Sequence, residues 1–216
     1  MDREHDLLPE GIRETAFFTG HRYLPADEKA HIQQRIADAV VMAYNDGYRR
    51  FICGCALGFD TLAALQVLQL KKKYPDMILS LAIPCEMQAD RWHDKDREIY
   101  SRILEQADEK TVLSPCYFQG VMLTRNRYMA DRSSLCICYL YHMRGGTAST
   151  VRYALKQDHI RIINLASAQD YNTGLLREKA WNYMSTSPSA GKNAATVHLF
   201  LSQRKNLTMK HTSIFF

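Results

Sequence analysis

Glycine, threonine and arginine are concentrated in residues 144–150, a combination of residue types that can bind a phosphate group. This segment lies between an apolar run at 135–141 and a helical pattern from Val151, so it predicts a turn from a strand into a helix. Glycine has no Cβ, which lets a ligand approach the backbone, and a helix start offers free N–H groups to an anion. The candidate binding residues are Gly145, Gly146, Thr147 and Thr150, with Thr147 also a candidate helix cap.

The turn after the first predicted strand places an imidazole and a guanidinium beside a single glycine. Arginine recognises planar phosphate or carboxylate groups through paired hydrogen bonds, so a ligand-binding role suits this turn. The alternative is an ordinary surface turn with two basic residues. We favour ligand binding because the turn lies at the edge of the predicted sheet where ligands bind. The candidate residues are Thr19, Gly20, His21 and Arg22.

The segment after the second predicted strand, residues 54–60, is small and rich in glycine. Its backbone N–H groups could cradle a phosphate, although it lacks both the Gly-Lys-Ser/Thr ending of a P-loop and the G-x-G-x-x-G dinucleotide pattern. Asp60 would either cap the following helix or accept a ribose hydroxyl, and the sequence leaves both interpretations open. The candidate binding residues here are Gly54, Ala56, Gly58 and Asp60.

Two further segments carry polar residues with an alternative structural role. Arg125 and Asn126 lie on a predicted helix, where they would either contact a ligand or form its polar face. Glu86 and Trp92 follow the third predicted strand and could reach a base or ribose. For Trp92 we favour packing of a helix against the sheet, because tryptophan buries a large apolar area.

The chain positions these segments by alternating short apolar runs with helical patterns. Gly47 and Pro75 end two of the helices. The predicted strands are 15–19, 50–53, 77–83, 110–113, 134–141 and 160–165, and the predicted helices are 27–46, 61–73, 88–107, 121–132 and one from the last glycine turn to about 158. Such alternation predicts right-handed βαβ units and a mostly parallel sheet of about six strands, covered by helices on both faces. Ligands bind such sheets at the carboxyl ends of the strands, where every glycine-rich turn of this chain falls.

Charge and composition divide the chain at about residue 166. The net charge is +5, but residues 167–216 hold six of the basic residues and only two of the acidic ones, so residues 1–166 are close to neutral. We therefore predict a ligand-binding domain over 1–166 and a basic extension over 167–216, partly flexible at the small polar stretch 185–195. A nearly neutral domain lacks the basic stripe of a nucleic-acid-binding face, so nucleic acid is not an expected partner.

Hydropathy and cysteine content indicate the compartment. The chain has no run of eighteen apolar residues, and its charged N-terminus lacks the apolar core of a signal peptide, so we expect a cytoplasmic protein without a membrane contact. Most of the six cysteines lie in strand-like apolar runs, including two C-x-C pairs. Zinc ligands usually lie two to four residues apart across a turn, so we expect buried structural thiols and no metal site.

The candidate segments together resemble a known family. In order from about residue 14 to 165, they are similar to the YpsA-like proteins (domain of unknown function 1273) of the SLOG superfamily, which includes the LOG cytokinin-activating enzymes and the DprA DNA-processing proteins. The resemblance is carried by residues 18–22, 54–60, 82–84, the predicted helix with Trp92, 125–131 and 145–154. It implies a Rossmann-like three-layer sandwich of the α/β class with a nucleotide or a nucleotide-derived ligand, NAD-derived ones included, at the glycine turns.

The resemblance also bears on catalysis. LOG enzymes release a base from a nucleoside monophosphate and carry the motif P-G-G-x-G-T-x-x-E. Aligning its paired glycines with those at 145 and 146 places Arg144 at the proline, Ala148 at the third glycine and Arg152 at the catalytic glutamate. Glycosidic cleavage needs a carboxylate near the developing positive charge, so Arg152 cannot serve, and Glu86 or Asp60 could substitute only if the geometry of the site differs.

These features favour a nucleotide-binding sensor or adaptor whose closure or homo-oligomerisation reports occupancy. The first alternative is a LOG-like hydrolase that cleaves the N-glycosidic bond of a nucleotide. The second is a DprA-like nucleic-acid binder.

Overall fold

A computed structural model describes residues 8–25 and 28–166, in which strands and helices alternate. The predicted extension at 167–216, with its flexible stretch, lies outside the described residues. The elements are α1 (Glu10–Arg13), β1 (Thr15–Gly20), α2 (Lys29–Asn45), β2 (Arg50–Cys53), α3 (Phe59–Lys71), β3 (Ile78–Ile83), α4 (Asp94–Gln106), β4 (Glu109–Val112), α5 (Val121–Ala130), β5 (Leu135–Tyr139), α6 (Gly145–Ala154) and β6 (Arg161–Asn164).

The six strands form one parallel sheet in the order β4-β3-β2-β1-β5-β6. This confirms the predicted α/β class. The chain adds strands outward from β1 to β4 and then returns to the other side of β1 with β5. The strand order therefore reverses between β1 and β5, where Gly20 is paired in register with Tyr139. In open parallel sheets, the crevice beyond such a reversal is where ligands bind.

Helices cover both faces of the sheet because successive strand residues point to opposite sides. Phe18 is fully buried in a core with Ile36 of α2 and Phe59 of α3. Its neighbour Phe17 is fully buried in a separate core that includes Met129 of α5. The predicted three-layer sandwich is therefore correct, and each buried phenylalanine contributes about 1.5–3 kcal/mol through removal of apolar surface from water.

The main departure from the predicted elements lies after β3. Residues 88–93 form turns, and α4 begins at Asp94 rather than at 88. Asp94 and Asp96 occupy its first turn, where negative charge stabilises the positive end of a helix. Trp92 thus precedes the helix; its half-buried ring packs against the core and meets the ring of Tyr100 edge-on at 5.2 Å between centroids.

The cysteines within the described residues are free thiols, and all except Cys116 are buried. Burial raises the pKa of Cys53 and of Cys136, so both thiols stay protonated at neutral pH. The Cys53 thiol donates to the backbone oxygen of Asp60 at 3.2 Å, which ties β2 to the start of α3. Residues 8–25 and 28–166 contain no group of three histidine, cysteine or acidic residues placed to hold a metal ion. No helix in these ranges is long and apolar enough to cross a membrane.

Candidate ligand-binding site

A cavity of about 380 Å³ lies at the carboxyl ends of the strands, next to the reversal between β1 and β5. Its volume falls within the range of small-molecule sites. The turns after β1, β2, β3 and β5 contribute to its wall together with one face of α5. Of the predicted binding residues, those in its lining are Thr19, Gly20, His21, Arg22, Ala56, Asp60, Arg125, Asn126, Gly145, Gly146 and Thr147. Trp92, which packs against the core, also lines the cavity.

The glycine turn at 145–146 opens onto this cavity. Helix α6 begins at Gly145, which has a φ of +84° that a residue with a side chain rarely adopts. A Cβ added to Gly145 or Gly146 would meet nothing within 4 Å. The cap of α6 is Arg144, whose side chain makes no capping hydrogen bond, so the prediction of Thr147 as the cap is wrong. Thr147 lies in the first helical turn, where backbone N–H groups have no intrahelical partner.

Two other predicted glycines have a different role, because neighbouring groups occupy the space beside them. A Cβ on Gly54 would collide with the Arg125 guanidinium. A Cβ on Gly58, whose φ is +87°, would collide with the backbone carbonyl of Arg22. Neither glycine is part of the cavity lining. Their missing side chains allow the turns after β1 and β2, and helix α5, to pack closely together.

A hydrogen-bond chain connects the arginine of α5 with the glycine turn of α6. Arg125 donates from Nε to Oδ1 of Asn126 at 2.8 Å. Asn126 donates from Nδ2 to the hydroxyl of Thr150 at 2.7 Å, and that hydroxyl donates to the backbone oxygen of Gly146 at 2.9 Å. Thr150 is buried and lies outside the cavity lining, so the structure places it behind the wall, where it holds Asn126.

Asp60 and Arg125 form a buried ion pair in the cavity wall, with 3.9 Å between Oδ2 and Nη1. Burial raises the pKa of Asp60 to about 6, against the lowering effects of the Arg125 charge and of the Ala56 and Gly20 backbone. The cap of α3 is Gly58, and Asp60 makes no capping hydrogen bond, so the helix-cap interpretation of Asp60 is wrong. Asp60 is instead a buried residue of the cavity lining.

His21 is a neutral member of the cavity wall. Its Nε2 accepts the backbone N–H of Tyr141 at 3.3 Å, and its ring stacks on that of His142 with 3.9 Å between centroids. Burial, with a smaller contribution from His142, lowers the pKa of His21 to about 4. Since Nε2 is an acceptor, we assign the ring proton to Nδ1.

The electrostatic character of the cavity is positive. Arg22 and Arg144 are exposed residues of its lining, whereas Arg125 is buried. Asp60 is the only acidic residue among the lining residues of the described chain. This distribution favours an anionic ligand with its charge near the two exposed arginines.

Sequence reasoning missed Gln88, which lines the cavity after β3. Its Nε2 donates to the backbone oxygens of Gly54 at 3.4 Å and Cys55 at 3.0 Å. Glu86, the candidate in the same turn, is exposed and is not part of the lining. The position of Gln88 beyond the carboxyl end of a parallel strand was the signal that could have identified it.

Arg152, at the position of the LOG glutamate, also lies outside the cavity lining. Its Nη1 donates to the backbone oxygen of Met143 at 3.3 Å. It therefore supports the loop between β5 and α6.

A parallel sheet with this strand order, and a glycine turn and arginines facing a cavity at its reversal point, defines a Rossmann-like ligand-binding domain. Comparison with protein families identifies the kind of Rossmann-like domain. The family described as "YpsA: YspA SLOG family" matches residues 23–175, so the chain belongs to this family. This confirms the resemblance inferred from the motifs.

Individual relatives extend this finding. A UPF0398 protein of Staphylococcus epidermidis is 28% identical over 132 residues, which cover 57% of this chain and 70% of the relative. The uncharacterized SPbeta prophage-derived protein YoqJ of Bacillus subtilis is 34% identical over 119 residues, covering 50% of this chain and 70% of YoqJ.

Solved structures with a similar fold include two DNA processing proteins. DprA from Streptococcus pneumoniae has a TM-score of 0.55 at 16% identity; the match covers 78% of this chain but only 56% of DprA. DprA from Helicobacter pylori, whose structure was reported for its single-stranded DNA binding mode, has a TM-score of 0.50 at 19% identity. The match covers 83% of this chain and 76% of that DprA. At these identities the likeness concerns the fold alone, and it agrees with the predicted Rossmann-like sandwich.

Proposed function

We propose that this protein binds a nucleotide or a nucleotide-derived small molecule in the cavity beyond β1 and β5, and acts as a sensor or adaptor. The observation that carries this proposal is the open space in front of Gly145 and Gly146 at the start of α6. Helix N–H groups and the helix dipole favour an anion there, and no side chain of the turn stands in its way.

The charges around the glycine turn support a phosphate site there. Arg22 and Arg144 lie on the exposed part of the lining, so they can contact phosphate oxygens that the glycine turn holds. Thr147, in the first turn of α6, supplies a hydroxyl on the same side. His21 adds a neutral wall that can donate from Nδ1.

Two carboxylates that could support catalysis are missing from the cavity, which favours a binding role without turnover. Arg152 stands where a LOG enzyme has its glutamate, and it is engaged with the Met143 backbone. Glu86 is outside the lining. Occupancy would be reported through movement of the loops around the cavity or through self-association.

Isothermal titration calorimetry with AMP, GMP, CMP, UMP, NAD and ADP-ribose tests the proposal. We expect saturable binding of at least one compound by the wild-type chain, and its loss in Gly146→Val. Absence of binding across the panel would overturn the proposal.

One observation keeps a hydrolase as the second candidate. Asp60 is the acidic residue of the lining, and its pKa of about 6 suits a carboxyl group that exchanges protons near neutral pH. Incubation with AMP and with NAD, followed by chromatography for free base, tests this candidate. Release of base by the wild type and its loss in Asp60→Asn would favour the enzyme; no release would exclude it for these substrates.

A nucleic-acid ligand is the third candidate, and the DNA binding described for the Helicobacter DprA structure makes it worth a direct test. Single-stranded DNA binding through phosphates weakens steeply with added salt. A mobility-shift titration of an oligothymidine at two salt concentrations measures this. The near neutrality of residues 1–166 leads us to expect no shift.

A further inference from the structure

Two buried polar atoms of cavity-lining residues make no hydrogen bond among the described residues: Nη1 of Arg125, which lies 3.9 Å from Oδ2 of its ion-pair partner Asp60, and Oε1 of Gln88. The two residues are only 5% and 8% exposed, and both line the cavity. Buried donors and acceptors are nearly always paired, because an unmade bond costs about 1–3 kcal/mol. A bound molecule that pairs with both atoms would recover this free energy.

The orientation of both side chains is fixed by their other contacts. Gln88 donates from Nε2 to two backbone oxygens, and a flipped amide would set its own oxygen against them. Arg125 is held at Nε by Asn126, which Thr150 holds in turn. With both side chains held in place, Arg125 offers one donor and Gln88 one acceptor that make no hydrogen bond among the described residues.

The chemistry of these atoms discriminates between parts of a nucleotide. A phosphate carries acceptors, so it would satisfy Arg125 but would set its negative oxygens against Oε1 of Gln88 and the nearby carboxylate of Asp60. A neutral group with an acceptor beside a donor satisfies both atoms at once. The edge of a nucleobase has this pattern, and so do the two vicinal hydroxyls of ribose.

We propose that Gln88 and Arg125 form the specificity site of the cavity and take the nucleoside part of the ligand through a neutral acceptor beside a donor. The phosphate then lies at the Gly145–Gly146 turn, near the exposed arginines. This orientation rests on the proposed function. It specifies, in addition, that the nucleoside end of the ligand is the buried one.

The first test changes the ligand and uses the unaltered full chain. Calorimetry compares AMP, GMP, CMP and UMP with inorganic pyrophosphate. We expect the tightest of the four nucleotides to bind at least 10-fold better than pyrophosphate. Equal affinity would overturn the orientation while leaving a phosphate-binding cavity. Failure of all four nucleotides, and of NAD and ADP-ribose, to bind would overturn the proposed function and this orientation with it.

The second test removes the amide of Gln88, which takes away the proposed acceptor and also the Nε2 hydrogen bonds to the backbone oxygens of Gly54 and Cys55. In Gln88→Met, whose side chain has a similar length, the tightest nucleotide should bind about 3-fold to 10-fold more weakly, as expected for one hydrogen bond. The matched control is Met87→Ala, because Met87 is exposed and outside the lining. Thermal unfolding by circular dichroism establishes that each variant folds. An unchanged dissociation constant in folded Gln88→Met would overturn the proposal.

Two analogues identify which part of the nucleoside Gln88 contacts. Ribose 5-phosphate lacks the base, and the 2′,3′-dideoxy form of the tightest nucleotide lacks the vicinal hydroxyls. If Gln88 contacts the base, Gln88→Met weakens binding of the dideoxy form but not of ribose 5-phosphate. The reverse result assigns the contact to the ribose. If the variant weakens neither, the proposal is overturned.

Discussion

Asn126 of α5 donates from Nδ2 to the hydroxyl of Thr150 on α6 across 2.7 Å, and this bond joins the two helices behind the cavity wall. On one side Asn126 holds Nε of Arg125, and on the other Thr150 holds the backbone of Gly146. The position of the buried guanidinium is thereby linked to the position of the glycine turn. Binding of a ligand that contacts both would therefore be sensitive to substitution of Asn126 or Thr150.

Removing this bond should affect both stability and binding. We expect Thr150→Val to lower the free energy of unfolding by about 1–2 kcal/mol, because the amide of Asn126 loses its buried partner. Nucleotide affinity should fall as well, since Arg125 loses its support. Urea unfolding and calorimetry measure the two effects. Thr150→Ser keeps the hydroxyl and is the matched control. If Thr150→Ser loses as much stability and affinity as Thr150→Val, the hydroxyl has no hydrogen-bonding role.

The glycines of the turns should divide into two classes under substitution. Gly146→Val should abolish nucleotide binding and change the free energy of unfolding by less than about 1 kcal/mol, because its side chain enters open space in the cavity. Gly54→Ala should instead destabilise the fold by about 1–3 kcal/mol, because its Cβ meets the Arg125 guanidinium. Thermal unfolding and calorimetry on both variants compare the classes. An unchanged dissociation constant in Gly146→Val would rule out ligand approach at this turn.

The arrangement of the sheet was predictable from the sequence because apolar run length and helical spacing reflect burial directly. Strand β2, for example, has the predicted bounds Arg50–Cys53. The helix around Trp92 was predicted too long, since apolar spacing continues through residues 88–93 while the acidic residues at 94 and 96 set the actual helix start. The start of this helix therefore follows the acidic residues of its first turn and not the hydrophobic pattern.

Only part of the site could be predicted in the same way. The convergence of the turns follows from parallel topology, so residues 19–22 and 145–147 were within reach of the sequence. The bond from Gln88 to the backbone of Cys55 and the bond from Asn126 to Thr150 were not, because they depend on how helices and turns pack across the sheet edge. Sequence also cannot tell whether the missing Cβ of a glycine faces a cavity or a neighbouring side chain, which is the difference between Gly146 and Gly54.

Arg22 should contribute to binding of the phosphate and not of the nucleoside. We expect Arg22→Ala to weaken AMP binding about 3-fold to 10-fold, with a smaller effect at high salt, because the guanidinium is exposed. Adenosine, which lacks the phosphate, should bind the variant and the wild type equally. Calorimetry with both compounds measures the difference. Arg91→Ala, at an exposed arginine outside the lining, is the control, and equal losses for AMP and adenosine would argue against a phosphate contact.

Protonation of His21 should destabilise the fold in mild acid. Its pKa is about 4 in the folded chain, below the ordinary value of 6.5, so the unfolded chain binds more protons between these values. The stability that neutral His21 provides is therefore fully present above pH 6.5 and is lost as the pH falls towards 4. The loss amounts to about 2–3 kcal/mol. Asp60 opposes this trend, because its raised pKa of about 6 makes the folded chain the stronger proton binder between pH 6 and 4.

Comparison with His21→Gln separates the two groups. Glutamine does not titrate and can still accept the N–H of Tyr141, while Asp60 titrates in both proteins, so its effect largely cancels in the difference. Between pH 7 and pH 4, the free energy of unfolding should fall by about 2–3 kcal/mol more in the wild type than in the variant. Urea unfolding at both pH values measures this difference. His93→Gln, at an exposed histidine outside the lining, should follow the wild type. If the stability of His21→Gln falls with pH as steeply as that of the wild type, the depressed pKa of His21 does not control the acid stability of this fold.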